Sequence, residues 1–141
     1  MRYIFHLSIP VTNLDSVKVF YEAILGGSVG REEHDWVDIL LWGHQITLQH
    51  RPEEVLDPND QGTRHFGVIL PWKEWEILSE KIQSSGVKFL KPPHVKYPST
   101  KNEQAKFYLQ DPSYNVIEIK AYRNQSSTVG AGNEEYNYLD T

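Results

Sequence analysis

Apolar and polar residues alternate over residues 3–9. Phe5, Leu7 and Ile9 point one way and His6 and Ser8 the other, the period-two pattern of a half-buried strand. A helical period follows: Leu14, Val17, Phe20, Tyr21, Ile24 and Leu25 recur on one face, Asn13 or Asp15 is placed to cap it, and Gly26-Gly27 stops it. Residues 28–33 are short and polar. Trp36–Trp42 and Gln45–Gln49 read as a hairpin turning at Gly43-His44. Residues 51–64, with Pro52, Pro58, Asn59-Asp60 and Gly62, form a linker.

The same order then repeats. His65 opens a strand at 65–70, as His6 opens the first, and the two histidines lie 59 residues apart. A helix runs from about 72 to 84 with Trp72, Trp75 and Leu78 as its apolar stripe, Gly86 ends it, and a short strand is expected at 87–90. Pro92-Pro93 and Pro98 mark a long loop at 91–104. A strand at 105–110, a turn at Asp111-Pro112-Ser113-Tyr114-Asn115 and a last strand at 115–122 complete the pattern. Two copies of one strand–helix–strand–strand–strand unit, modules of about 1–50 and 65–122, give an α+β fold within a single domain over 1–123. Residues 124–141, rich in Asn, Ser, Gly and Glu, read as a flexible C-terminal tail.

Composition narrows the function. The chain has 141 residues and a net charge of −5, and its lysines and arginines are scattered, so nucleic acid is not an expected partner. It has no cysteine, which excludes disulfides, thiolate metal sites and cysteine nucleophiles and fits a cytoplasmic location. No apolar run reaches membrane-spanning length, and no signal peptide precedes the first strand, so no membrane role is expected. No glycine-rich phosphate-binding motif is present.

Strand alternation gathers the candidate chemistry. Ile117 and Ile119 belong to the packed face, which turns Glu118 to the other face. Phe5, Leu7 and Ile9 do the same for His6, and Phe66 and Val68 for His65. Two imidazoles and a carboxylate suit a divalent first-row ion (Fe, Mn, Ni, Zn or Co), and three protein ligands leave positions open for a small-molecule substrate or water. Tyr108 shares the polar face and can donate a hydrogen bond to an oxyanion. Lys106 shares that face and can pair with a substrate carboxylate or phosphonate, the preferred reading being a lysine at the sheet rim. Asp38, Leu40 and Trp42 share a strand face, and the two tryptophan-bearing ends of that strand either wall a pocket or, as such aromatics more often do, belong to the core. Read from spacing alone, the histidines and the glutamate are equally compatible with a solvated strand face.

The chain resembles the vicinal oxygen chelate superfamily, which includes glyoxalase I, fosfomycin-resistance and bleomycin-resistance proteins and extradiol dioxygenases. Three segments carry the resemblance: Phe5-His6-Leu7-Ser8-Ile9-Pro10-Val11 leading to Phe20-Tyr21, His65-Phe66-Gly67-Val68, and Phe107 through Asp111-Pro112 to Glu118. It covers about residues 1–122 and implies two βαβββ modules forming an eight-stranded cup around a metal site. It also implies His6, His65 and Glu118 as the metal ligands, Glu118 and Tyr108 as catalytic residues, and a homodimer in which modules pair within a chain or between chains. The resemblance places Thr47, a poor ligand, opposite Glu118, which favours three protein ligands over the four of glyoxalase I. The implied function is a metal-dependent glyoxalase- or dioxygenase-like enzyme. The alternative it offers is a metal-free binding protein of the bleomycin-resistance type.

Overall fold

A computed structural model describes residues 2–124, so the expected tail lies outside the described residues apart from Asn124. The chain divides into two compact units. The first contains the residues up to Arg64 together with Gln110–Val116, and the second contains His65–Leu109 with the chain from Ile117.

In the first unit β1 (His6–Val11) leads into α1 (Leu14–Val19), which continues as a π-helical turn over Phe20–Ile24. Asn13 caps α1, its side chain accepting from the Ser16 N–H at 2.9 Å. Gly26 ends the helix in the left-handed region at φ +75°, where a Cβ would be strained, and the Gly27 N–H closes onto the Tyr21 carbonyl at 2.9 Å. Strands β2 (Ser28–Glu32), β3 (Trp36–Leu41) and β4 (His44–His50) follow, and the sheet order is β1-β4-β3-β2. β1 runs parallel to β4, and β3 antiparallel to it. Val37, Ile39 and Leu41 of β3, Ile46 and Leu48 of β4, and Val17, Phe20 and Tyr21 of the helix form the core.

The second unit repeats this order. β5 (Phe66–Ile69) leads into α2 (Trp72–Ser85), then β6 (Lys91–Lys96), β7 (Gln104–Gln110) and β8 (Val116–Tyr122), in the sheet order β5-β8-β7-β6. Trp75, Ser79 and Ile82 line the buried face of α2 at helical spacing. Trp75 packs on Phe107 with ring centroids 5.7 Å apart, and its indole N–H donates to the Ile119 carbonyl at 3.0 Å. Each expected βαβββ module is therefore present as a four-stranded mixed sheet.

Three local expectations are corrected. Phe5 is not part of the packed face but 62% exposed, because β1 begins at His6 on the sheet edge. Residues 28–32, polar in sequence, form the edge strand β2. The strand expected at 87–90 lies instead at Lys91–Lys96 and contains Pro92-Pro93. An edge strand leaves one row of N–H groups without a neighbour, and the β6–β7 register shifts between Lys91 and His94, so the prolines fall where no ladder bond is lost.

The turn between β7 and β8 is organised by a buried carboxylate. Asp111 accepts from Tyr21 Oη at 2.8 Å, from the Ser113 and Asn115 N–H groups at 2.8 and 3.0 Å, and from Asn115 Nδ2 at 2.9 Å. Burial raises the Asp111 pKa, and these donors oppose that rise. Because the folded pKa lies above the unfolded one, this group favours folding at low pH, and that contribution is lost as pH rises through the folded pKa. Tyr21→Phe removes one donor to the charged form. It should cost about 1–2 kcal/mol at neutral pH, with the deficit shrinking as Asp111 is protonated; urea unfolding of both proteins across acid to neutral pH measures this.

Candidate functional site

Each sheet covers its apolar layer with a helix on one face and carries polar side chains on the other. The two registers correspond. Ser8 pairs with Thr47 in the parallel β1–β4 ladder, and Gly67 pairs with Glu118 in the β5–β8 ladder, so Thr47 occupies the position in the first unit that Glu118 occupies in the second.

On the second unit's polar face, His65 stands immediately before β5 and Glu118 at the middle of β8. His65 Nε2 lies 2.9 Å from Glu118 Oε2. Lys106 Nζ lies 3.5 Å from Glu118 Oε1, with its side chain only 12% exposed, so it is a nearly buried partner of the carboxylate and not the rim lysine expected from the sequence. Tyr108 is also hydrogen-bonded to Glu118. Burial, followed by the charge of Glu118 and this bond, raises the phenol pKa above its ordinary value and keeps the hydroxyl protonated near neutrality. The edge of the His65 ring meets Tyr108 at 5.7 Å, and Lys91 Nζ sits 5.0 Å from the centre of the Tyr108 ring. A buried carboxylate is stable only when paired and hydrogen-bonded, and Glu118 has three such partners, Lys106 and Tyr108 from β7 and His65 from the residue before β5.

Gly67 lets β5 approach β8 this closely. A Cβ at position 67 would overlap the carbonyl of Glu118 itself. The sequence signal for this was the glycine inside an otherwise apolar strand.

His6 lies on the first unit's polar face, at the start of β1. It lines a cavity of about 290 Å3 with Trp36, Asp38, Gln45, Thr47 and Gln49. At the floor of this cavity Asp38 accepts from Thr47 Oγ1 at 2.6 Å and from Gln45 Nε2 at 3.2 Å, and Arg31 Nε stands 3.5 Å away. Sequence reasoning placed Asp38 on a strand face with Leu40 and Trp42 and missed its role as the hub of a polar cluster. The available signal was a lone carboxylate within Trp-Val-Asp-Ile-Leu-Leu.

The structure thus brings together His65, Glu118 and Tyr108, while His6 belongs to the other unit. Among the described residues, no group of three or more His, Cys, Asp or Glu is gathered as a metal site. The donor chemistry of the His65–Glu118 pair does fit an ion. Two ligand atoms on adjacent positions of a metal, each at about 2.1 Å, stand about 3 Å apart, close to the separation seen here.

The fold is that of a known group. The chain belongs to the Glyoxalase/Bleomycin resistance protein/Dioxygenase superfamily, whose family model matches residues 3–119. No curated protein matches it. Among solved structures it is similar to a glyoxalase/bleomycin resistance protein/dioxygenase from Alicyclobacillus acidocaldarius, with a TM-score of 0.80 and 26% identity over 89% of this chain and 95% of that one. The genomically encoded fosfomycin resistance protein FosX from Listeria monocytogenes shares the fold at a TM-score of 0.70 and 16% identity, covering 90% of this chain and 98% of its own. A lactoylglutathione lyase from Agrobacterium tumefaciens does so at 0.65 and 18%, covering 84% and 92%. No helix among the described residues is long and apolar enough to cross a membrane.

The close approach at Gly67 has a measurable consequence. Gly67→Ala should destabilise the protein by about 2 kcal/mol or more, because backbone must move to admit the methyl group. Gly30→Ala is the control: a Cβ there meets Asp38 at an ordinary 3.5 Å, and its cost should stay near or below about 1 kcal/mol. Urea midpoints of the two variants measure the difference.

Proposed function

We propose that the chain is a divalent-metal-dependent enzyme acting on a small molecule that presents two adjacent oxygen atoms. His65, Glu118 and His6 would hold the ion, with His6 supplied by the same chain or by the second copy of a homodimer. The observation that carries this reading is the 2.9 Å pairing of His65 Nε2 with Glu118 Oε2, two metal-type donors converging on one point of the polar face. When bound, a divalent ion supplies Lewis acidity to the substrate oxygens.

The chain's own residues supply the remaining chemistry. Tyr108, held protonated, donates a hydrogen bond to an oxygen on which negative charge develops. The Glu118 carboxylate accepts a proton from the substrate, and the adjacent Lys106 ammonium holds that carboxylate in position. With Thr47 in the place of a first-module carboxylate, the reading favours three protein ligands. It therefore leans toward the chemistry of the fosfomycin-resistance and dioxygenase branches and away from that of lactoylglutathione lyase.

One observation favours a second reading, a metal-free binding protein of the bleomycin-resistance type. Lys106 already gives Glu118 a cationic partner, so the carboxylate is neutralised without a metal.

Metal content decides between the two readings. Plasma mass spectrometry of the wild type should find roughly one first-row ion per chain, and His65→Ala should lose it while keeping its fold. Glu118→Gln should weaken the affinity by about tenfold or more, since an amide is a poorer ligand than a carboxylate. Stoichiometric metal retained by His65→Ala would refute the ligand assignment. A wild type that takes up no metal even after anaerobic reconstitution would favour the binding protein.

A further inference from the structure

We propose that the polar face of the first sheet carries a subsite for a protonated primary amine, built on Asp38. Hydrogen-bond direction fixes which atoms remain as acceptors. An ionised carboxylate only accepts, so Thr47 must donate its hydroxyl proton to Asp38 and Gln45 must turn its amide nitrogen toward it. The Thr47 oxygen lone pairs and the Gln45 carbonyl oxygen are thereby left to accept from a donor. Three acceptors result: Thr47 Oγ1, Gln45 Oε1 and the carboxylate itself. All three residues line the same cavity of about 290 Å3. An alkylammonium group has three N–H donors and one positive charge, which matches this set.

The burial of Asp38 needs a reason beyond the fold. The apolar layer of β3 is formed by Val37, Ile39 and Leu41 on the opposite face, yet the Asp38 side chain, on the polar face, is only 5% exposed. Its cationic partner among the described residues is weakly held: the Arg31 side chain is 81% exposed, and its Nε stands 3.5 Å from Oδ2. Arg31 reaches that place because the β2–β3 register shifts between Val29 and Glu32, a bulge that sets Gly30 and Arg31 against Asp38. The Arg31 guanidinium carbon also lies 5.8 Å from the centre of the Trp36 ring, another cavity-lining side chain. Arg31 thus acts as a resident cation at a cation site, and an incoming ammonium takes its place against Asp38.

The subsite shares its cavity with His6, a proposed metal ligand, so its test uses full-length protein held metal-free with a chelator. Nitrogen-15 NMR would follow the Trp36 indole N–H and the Gln45 side-chain amide during titration with ethylammonium, tetramethylammonium or acetate. Saturable shifts at both groups with ethylammonium alone are expected. Asp38→Asn should weaken binding by roughly tenfold or more, whereas Arg31→Gln, which removes the competing cation, should tighten it by about threefold. Tetramethylammonium binding as well as ethylammonium would overturn the proposal, because that ion has no N–H donors. Acetate binding in place of ethylammonium would make Arg31 an anion clamp and also refute it. If Asp38→Asn fails to fold, Arg31→Gln still decides, since weaker or unchanged ethylammonium binding in that variant contradicts the proposal.

Discussion

The buried carboxylate of Asp111 gathers four hydrogen bonds, and through them it sets where β8 begins. Asn115, the last residue of that turn, is gripped by both its backbone and its side chain, and it also donates through Nδ2 to the Pro10 carbonyl. Ser113 completes the anchoring by bonding the Thr12 N–H at 2.9 Å. Strand faces alternate with every residue, so a slip of one position after Asn115 would bury Glu118 in the apolar layer and expose Ile117 and Ile119. The polar face of the second sheet therefore depends on a turn whose own residues belong to the first unit. Burying that carboxylate has an electrostatic cost, visible as its raised pKa, which the four donors offset in part.

Duplication gives the two sheets one register but not one chemistry. At equivalent positions, Glu118 is a carboxylate shared by an imidazole, an ammonium and a phenol, and Thr47 is a hydroxyl that donates to Asp38 on the neighbouring strand. The first sheet thus keeps a carboxylate on its polar face but moves it one strand across, from β4 to β3. The second face gathers cations, with Lys106 and Lys91 in direct contact with Glu118 and Tyr108. The first face pairs the Asp38 carboxylate with a loosely held arginine. The shared backbone follows from apolar alternation and helix stops, which both halves retain, whereas the polar faces of the two sheets carry different side chains.

Much of this was legible in the chain. The helices, the β3–β4 hairpin (though it turns at Trp42-Gly43, one residue earlier than expected), the Asp111–Asn115 turn and the polar-face positions of His65 and Glu118 follow from periodicity and turn residues, because a period of two or 3.6 is a local property. The edge strands were less legible. Ser28–Glu32 is polar because its exposure does not demand apolar side chains, and Lys91–Lys96 carries two prolines because an edge and a bulge tolerate them. In both cases neighbouring strands, and not local preference, made the strand. The family resemblance added the assignment of His6, His65 and Glu118 as a set, which spacing alone left open.

By itself the sequence determined the two-module order, the layer that packs and the side chains that avoid it, since these depend on neighbours a few residues apart. Only the tertiary structure decided the partners of those polar side chains. It put Lys106 against Glu118 and not at the rim, brought Gly67 against the Glu118 backbone, and made Asp38 the centre of a cluster drawn from three strands. Such partnerships join residues 7 to more than 50 positions apart, as in Asp38 with Gln45 and His65 with Glu118. They are set by strand register and backbone approach, quantities that exist only once the sheets have formed.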